Sequence, residues 1–364
     1  MSSAAGSIAL SLAIAASLVA PAQAQLRGTM TPPRAITLCQ PKAPGAGEPN
    51  ASARHLLAAA AQHLDDQPHA MARVHTEGTL PHQGIRDDSI AAERDWPLAR
   101  QAALAFRLSA DARYLHQVDG YLAAWAGTYQ PDFNPIDETN LDGLIDAYVL
   151  TSAALPATTR DATRALLRKL GEGYIERIRA FPATHKPGTA TNNWQSHRVK
   201  LVTLAAAALG DPAMLKTAHE LFVRQLADNI KPDGEVIDFA ERDALHYVVY
   251  DLQPLVAAAL AAKPFGGDWL HEATPQGASL AKALDWLRPY AEGSKTHEEF
   301  VHTQVKFDRE REQAGEKGYS GPWDPKSAGS LYWLAAQLDP SYLPVAQQLS
   351  PAPPDWIGAC SYRQ

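Results

Sequence analysis

The chain has 364 residues, enough for one large domain or two small ones, and a formal net charge of −7. That mild acidity argues against a nucleic-acid binder, whose footprint should be basic. Any polyanionic ligand would have to be met by a locally positive cleft in an acidic protein.

Taken from the start, Ile8 to Ala20 is an apolar run too short to span a bilayer, and Ala22-Gln23-Ala24 offers a small-residue cleavage site before Gln25. Residues 1–24 therefore read as a secretory signal, although Lys and Arg are missing ahead of the apolar run. A periplasmic or secreted protein is expected. Residues 25–50, rich in Pro, Gly and Ala, read as an extended leader. In an exported protein the two cysteines, Cys39 and Cys360, are naturally read as one disulfide between the N-terminal segment and the C-terminal tail. Two unpaired structural thiols are the alternative. No CxxC pair or zinc spacing exists, and neither a metal nor an organic cofactor is expected.

From there the pattern is helical almost throughout. Apolar residues recur at helical spacing over 54–64, 96–110, 112–126, 141–155, 162–181, 193–209, 212–230, 243–262, 280–290, 327–338 and 342–349. Asp95 is placed to cap the second of these, with Pro97 in its first turn. No comparable run alternates with period two, so strands should be few. No segment after the signal is read as a membrane span. Short turns at Ser109-Ala110-Asp111 and Gly210-Asp211 alternate with longer polar loops at 129–140 and 231–239. Paired helices packed around a ring, with the long loops gathered on one face, satisfy that pattern. The expectation is an all-α fold, a single incomplete (α/α) toroid over 51–364. An α-solenoid is the alternative, but no fixed-period repeat is visible.

Two segments carry the chemistry. Thr191-Asn192-Asn193-Trp194-Gln195-Ser196-His197-Arg198 and Glu241-Arg242-Asp243-Ala244-Leu245-His246-Tyr247-Val248-Val249-Tyr250 each put polar residues at the start of an otherwise apolar helix. Together they supply an amide, an imidazole, a guanidinium and a phenol. Asn, His and Arg can neutralise a carboxylate and so make the neighbouring C5 proton of a uronic acid acidic. A Tyr can take that proton and return one to the departing C4 oxygen.

These segments resemble the alginate lyase superfamily, in particular polysaccharide lyase family 5 and related glucuronan- and alginate-cleaving lyases. In family 5 the first segment reads Asn-Asn-His. The second has an Arg, then Ala-Leu-x-Tyr, then another Tyr. Asn192-Asn193, Ala244-Leu245-His246-Tyr247 and Tyr250 match. Trp194 stands where the family has its His, and the Arg register differs, which points to a sister family. The resemblance implies the toroid, about six or seven hairpins closing an incomplete ring.

Asn193 and His197 are one turn apart, so His197 can restore the missing imidazole. Tyr247 is the candidate base and acid, with Arg242 and His246 as neighbours able to favour its ionised form. The catalytic set is then Tyr247, His197, Asn193 and Arg242. Asn192, Trp194, His246, Tyr250, His75 and Arg86 are candidate substrate contacts. Each has a plainer reading: Asn192 as a helix cap, Trp194 and Tyr250 as core, His197 as surface, and the loop around His75 and Arg86 as solvated. The carboxylates of the turn 134–140 could bind sugar hydroxyls, orient a catalytic cation or only cap. The run from Lys306 through Arg309 and Arg311 to Lys317 and Tyr319 could be a basic flap or plain charged surface. The expected partner is an anionic polysaccharide. A toroid glycoside hydrolase using Glu138 and Glu241, or a non-catalytic carbohydrate-binding protein, are the competing functions. The polymer, the mode of cleavage and the oligomeric state stay open.

Overall fold

The apolar spacing becomes helices almost where the sequence places them. The computed structural model describes Met1, Cys39, residues 49–182, Thr184 and residues 186–360; the export signal and nearly all of the extended leader lie outside the described residues. In chain order the helices are α1 (Ala51–Gln62), α2 (Arg86–Glu93), α3 (Asp95–Ser109), α4 (Ala112–Thr128), α5 (Asp142–Thr151), α6 (Ala157–Arg179), α7 (Asn193–Leu209) and α8 (Pro212–Asn229). Then come α9 (Ile237–Arg242), α10 (Leu245–Ala262), α11 (Leu280–Ala291), α12 (Lys306–Gln313), α13 (Gly329–Ala335), α14 (Leu343–Leu349) and α15 (Asp355–Gly358). Among the described residues there is no strand, only two isolated bridges, Ile230 with Val236 and Glu298 with Pro322. The architecture is an (α/α) toroid.

The tight turns explain the hairpins. Ala110 and Gly210 both take the left-handed conformation, at φ 58° and 64°, and stop α3 and α7. Asp111 and Asp211 then cap α4 and α8 by accepting from the first backbone N–H groups of each. Gly143 is required for a different reason. A Cβ there would lie 2.6 Å from the carbonyl oxygen of Trp96, so only glycine lets α5 lie this close to α3.

Helix α7 is the axis of the core. From Gln195 to Leu209 every residue is buried, and the helix packs against α6, α8 and α10. The stretch Leu245–Phe265, which includes α10, is long and apolar enough by composition to pass for a membrane span, but 72% of its most apolar 18-residue window is buried inside the protein. Its apolarity serves the core.

Three local expectations change. Asp95 does not cap α3; it lies inside the helix, buried, and its carboxylate accepts from Trp125 Nε1 at 2.8 Å and His69 N at 2.6 Å. Asp243 does not open a long helix. It takes a left-handed conformation, φ 50°, that separates α9 from α10. The charged run after Val305 contains a helix, α12, without an apolar stripe to announce it.

Cys39 and Cys360 form a disulfide, Cα–Cα 4.9 Å, that spans 321 positions. It holds the N-terminal segment to the end of the described chain. Replacing Cys360 by Ser is expected to lower stability by about 2–4 kcal/mol. Thermal or denaturant unfolding of oxidised wild type, reduced wild type and the variant measures it, and an unchanged midpoint refutes it.

Candidate active site

The start of α7 is polar in a setting that excludes water. Asn192 acts as the cap, its Oδ1 accepting from Trp194 N at 3.1 Å. Asn193 turns inward. Its backbone N–H donates to Asp238 Oδ2 at 2.9 Å, and its side-chain amide donates to Asp238 Oδ1. An amide nitrogen has two hydrogens, and Asp238 takes one. Burial pushes the Asp238 carboxyl up to about 6, against the hydrogen bonds from Asn193 that favour its charge. Below it, Ser196 donates to Asp251 at 2.6 Å, and Gln225 donates to Ser196 Oγ at 3.0 Å. Trp194 is half-buried, with the Arg198 guanidinium 5.7 Å from its ring.

His197 is not a surface residue: it is only 3% exposed. Its Nδ1 meets Thr139 Oγ1 at 2.6 Å. The Lys200 ammonium donates to that same oxygen at 2.7 Å and to the Thr139 carbonyl at 2.7 Å. An ammonium can only donate, so the Thr139 hydroxyl proton is free to point at His197 Nδ1. Burial, reinforced by the Lys200 charge, holds the imidazole well below its usual range. The ring is therefore neutral, accepts at Nδ1 and carries its proton on Nε2. That Nε2 is buried against the backbone of Tyr250, whose hydrogen bond to the ring opposes part of the effect of burial. The ring lies against Tyr250, centroids 4.4 Å apart.

The second half of the site is at the start of α10. Helix α10 has no side-chain cap of its own; Glu299, from a distant loop, accepts from His246 N at 2.8 Å. Burial lifts the Glu299 carboxyl to about 7. Tyr247 is buried beside Tyr250, Phe300 and Tyr319. The Arg242 guanidinium covers its ring at 3.8 Å, while Arg242 Nη1 pairs with the fully buried Asp308. Its phenol oxygen accepts from Arg311 Nη1 at 3.1 Å, and the same nitrogen donates to the Tyr319 hydroxyl at 2.6 Å. His246 is surrounded by the rings of Tyr247, Tyr250, Phe300 and Tyr319. Burial and the charges of Arg311 and Arg242 push it down to about 4. Burial raises Tyr250 and Tyr319 above the usual phenol range.

The structure thus brings His197, Tyr250, Tyr247, His246 and Arg242 into one continuous cluster, with Asn193 one turn before His197. His75 lies further out and is held by Asp137, Nδ1 to Oδ2 2.8 Å. Arg86 heads α2, bound to the Thr79 carbonyl and 3.4 Å from Glu316. Sequence reading reached Arg311 and Tyr319 only as part of a flap and gave no role to Thr139, Lys200, Asp238, Glu299 or Asp308. Their partners are far away in sequence, and only the charge run at 306–317 gave a signal. Glu138, the acid named for a hydrolase, is fully buried and accepts from the hydroxyls of Tyr129 and Tyr174. It cannot flank a sugar. Among the described residues no cluster of three or more His, Cys, Asp or Glu could hold a metal ion.

Comparison with known proteins gives the family. The alginate lyase family matches residues 42–297. The chain belongs to the alginate lyase family and is a polysaccharide lyase. An alginate lyase from Bacteroides ovatus superposes with a TM-score of 0.59 at 17% identity, covering 85% of this chain and 93% of that one. A ligand-free substituted form of alginate lyase A1-III gives 0.60 at 14% identity, covering 91% and 93%. Alginate lyase A1-III from Sphingomonas species A1 gives 0.53 at 15% identity, covering 72% and 76%. At such identities the likeness is one of fold. Comparison with curated proteins gives no match.

The imidazoles give a spectroscopic prediction. The His197 nitrogen shifts should report the Nε2–H tautomer and stay flat from about pH 5 to 8; a titrating His197 would refute the assignment. His246 should remain neutral down to about 4. Its folded pKa lies below the unfolded 6.5, so the unfolded chain takes up the proton first. Stability from this residue is full above about 6.5 and is lost as the pH falls towards 4. Replacing His246 by Gln should flatten that part of the stability–pH curve.

Proposed function

We propose that the chain is an exported lyase that cuts a uronate polymer, mannuronate-rich alginate or glucuronan, by β-elimination. The observation that carries this reading is the Tyr247 phenol, which accepts from Arg311, lies under Arg242 and is joined to the His197 ring through the ring of Tyr250. Alginate lyase A1-III with a bound tetrasaccharide, TM-score 0.58 at 14% identity over 90% of this chain, supports an oligosaccharide-binding cleft. The apolar run at Ile8–Ala20 and the disulfide support export.

In the proposed reaction His197 Nε2–H and the Asn193 amide donate to the uronate carboxylate. Both are neutral donors fixed before substrate arrives, so little reorganisation is needed as charge builds on the carboxylate oxygens. The Tyr247 oxygen takes the C5 proton. Arg311 and Arg242 stabilise the negative charge that this oxygen carries before transfer. The C5–H electrons become the C4–C5 double bond, the C4–O bond breaks, and Tyr247 returns its proton to the leaving oxygen. One group can serve as base and acid only where H5 and O4 share a face, as in mannuronate and glucuronate. Guluronate would need a base on the other face.

Tyr247→Phe removes only the hydroxyl and should cost about a hundred- to ten-thousand-fold in rate with the fold intact. Asn193→Ala should cost about a hundred- to a thousand-fold, as for an oxyanion-type donor. His197→Ala should cost a similar factor. The readout is new ultraviolet absorbance from the conjugated double bond on a panel of uronate polymers. Near-wild-type turnover by Tyr247→Phe on the preferred polymer defeats the assignment and moves the role to Tyr250.

A further inference from the structure

Arg242 and Arg311 touch the Tyr247–Tyr319 pair, Arg86 reaches the same carboxylate as Arg311, and the three are held very differently. Arg242 is committed: it pairs with Asp308, which is fully buried and also accepts from Thr303 Oγ1 at 2.7 Å. Arg311 and Arg86 instead share one carboxylate. Glu316 Oε2 lies 3.7 Å from Arg311 Nε, and Glu316 Oε1 lies 3.4 Å from Arg86 Nη2. Neither contact is a hydrogen bond. Arg311 Nε and Glu316 Oε1 are both buried with no hydrogen-bond partner. An arginine and a carboxylate in good register make two short parallel bonds. Here one carboxylate is divided between two cations and satisfies neither.

Position gives this arrangement its meaning. The other end of the Arg311 fork is already on the phenol oxygens of Tyr247 and Tyr319. A carboxylate on its free Nε edge would therefore stand next to the proposed base. Glu316 sits between Gly315 and Gly318, both at positive φ, 76° and 86°, with open space where a Cβ would be. The backbone on either side can swing without a packing penalty.

We propose that Glu316 is a resident stand-in for a substrate carboxylate: it occupies Arg311 and Arg86 in the free protein, and a uronate of the polymer displaces it to bind the same two guanidinium groups. This rests on the uronate-lyase reading and extends it. Arg311 and Arg86 form a carboxylate subsite beside the reacting sugar, joining α12 to α2. Glu316 keeps two cations neutralised until a better-fitting anion arrives, and release of Glu316 frees the segment around it to move.

The test is Glu316→Gln, which keeps the size and removes the charge, with Glu316→Asp, one methylene shorter, as a second and milder disruption of the same pairing. Both are compared with wild type for KM on the preferred polymer and for calorimetric Kd of polymannuronate and polyglucuronate oligomers. Both values should fall about two- to fivefold in Glu316→Gln, equivalent to about 0.4–1 kcal/mol, and shift the same way in Glu316→Asp. Unchanged or weaker binding by both, with wild-type melting temperatures, overturns the proposal while leaving the lyase reading standing. Wild type that neither eliminates nor binds any uronate oligomer overturns both.

Discussion

The pairing of Arg242 with Asp308 is the interaction on which the site depends. Asp308 is fully buried, and Thr303 satisfies its second oxygen. Breaking such a pair from one side leaves an uncompensated charge in the interior, at a cost of about 3–5 kcal/mol. The pair ties α12 to the end of α9. Once α12 is fixed there, Arg311 falls on the phenol of Tyr247. The left-handed Asp243 makes the same union from the other side. Its carbonyl accepts from Phe300 N at 2.8 Å and from His297 Nε2 at 2.9 Å, and its carboxylate accepts from His302 N at 2.8 Å. A helix break that looks like a local irregularity is the socket into which a segment more than fifty residues away is plugged.

Around α7 the chemistry is arranged by the need to satisfy buried polar groups. An unpaired amide or carboxylate in this setting costs on the order of 1–3 kcal/mol. Asn193, Asn229 and Asp238 meet part of that need among themselves, as do Ser196, Gln225 and Asp251, while one oxygen each of Asn229, Gln225 and Asp251 is left over. Beside the phenols the His197 ring is held in the same way, between Thr139 on one side and the backbone of Tyr250 on the other.

The fold was legible because helices with one buried face repeat apolar residues every three to four positions. Helices α7 and α8 appear with nearly their true bounds, and the Gly210-Asp211 turn could be read as a stop followed by a cap. The two candidate segments were legible as polar residues opening apolar helices. Other features were not. Asp95 has the composition of a cap, but the energetics of burying Trp125 beside it gave its carboxylate another task. Helix α12 is charged on every side, so periodicity is silent, and its contact with Tyr247 joins residues 64 positions apart. The tautomer of His197 depends on Thr139, 58 positions away, and on a lysine whose charge reads as surface in sequence but is buried. Pair relations of this kind are set by the ring of helices and leave no trace in local composition.

The disulfide has a consequence for the order of events in biosynthesis. Cys360 emerges from the ribosome 321 residues after Cys39. Closing so long a loop in the unfolded chain costs conformational entropy, and the folded toroid removes that cost by holding the two cysteines 4.9 Å apart at Cα. Once sealed, residues 39–360 are a covalent loop. A single backbone cut in any exposed connector then opens the loop without releasing a fragment, and the two halves of the cleft stay on one molecule.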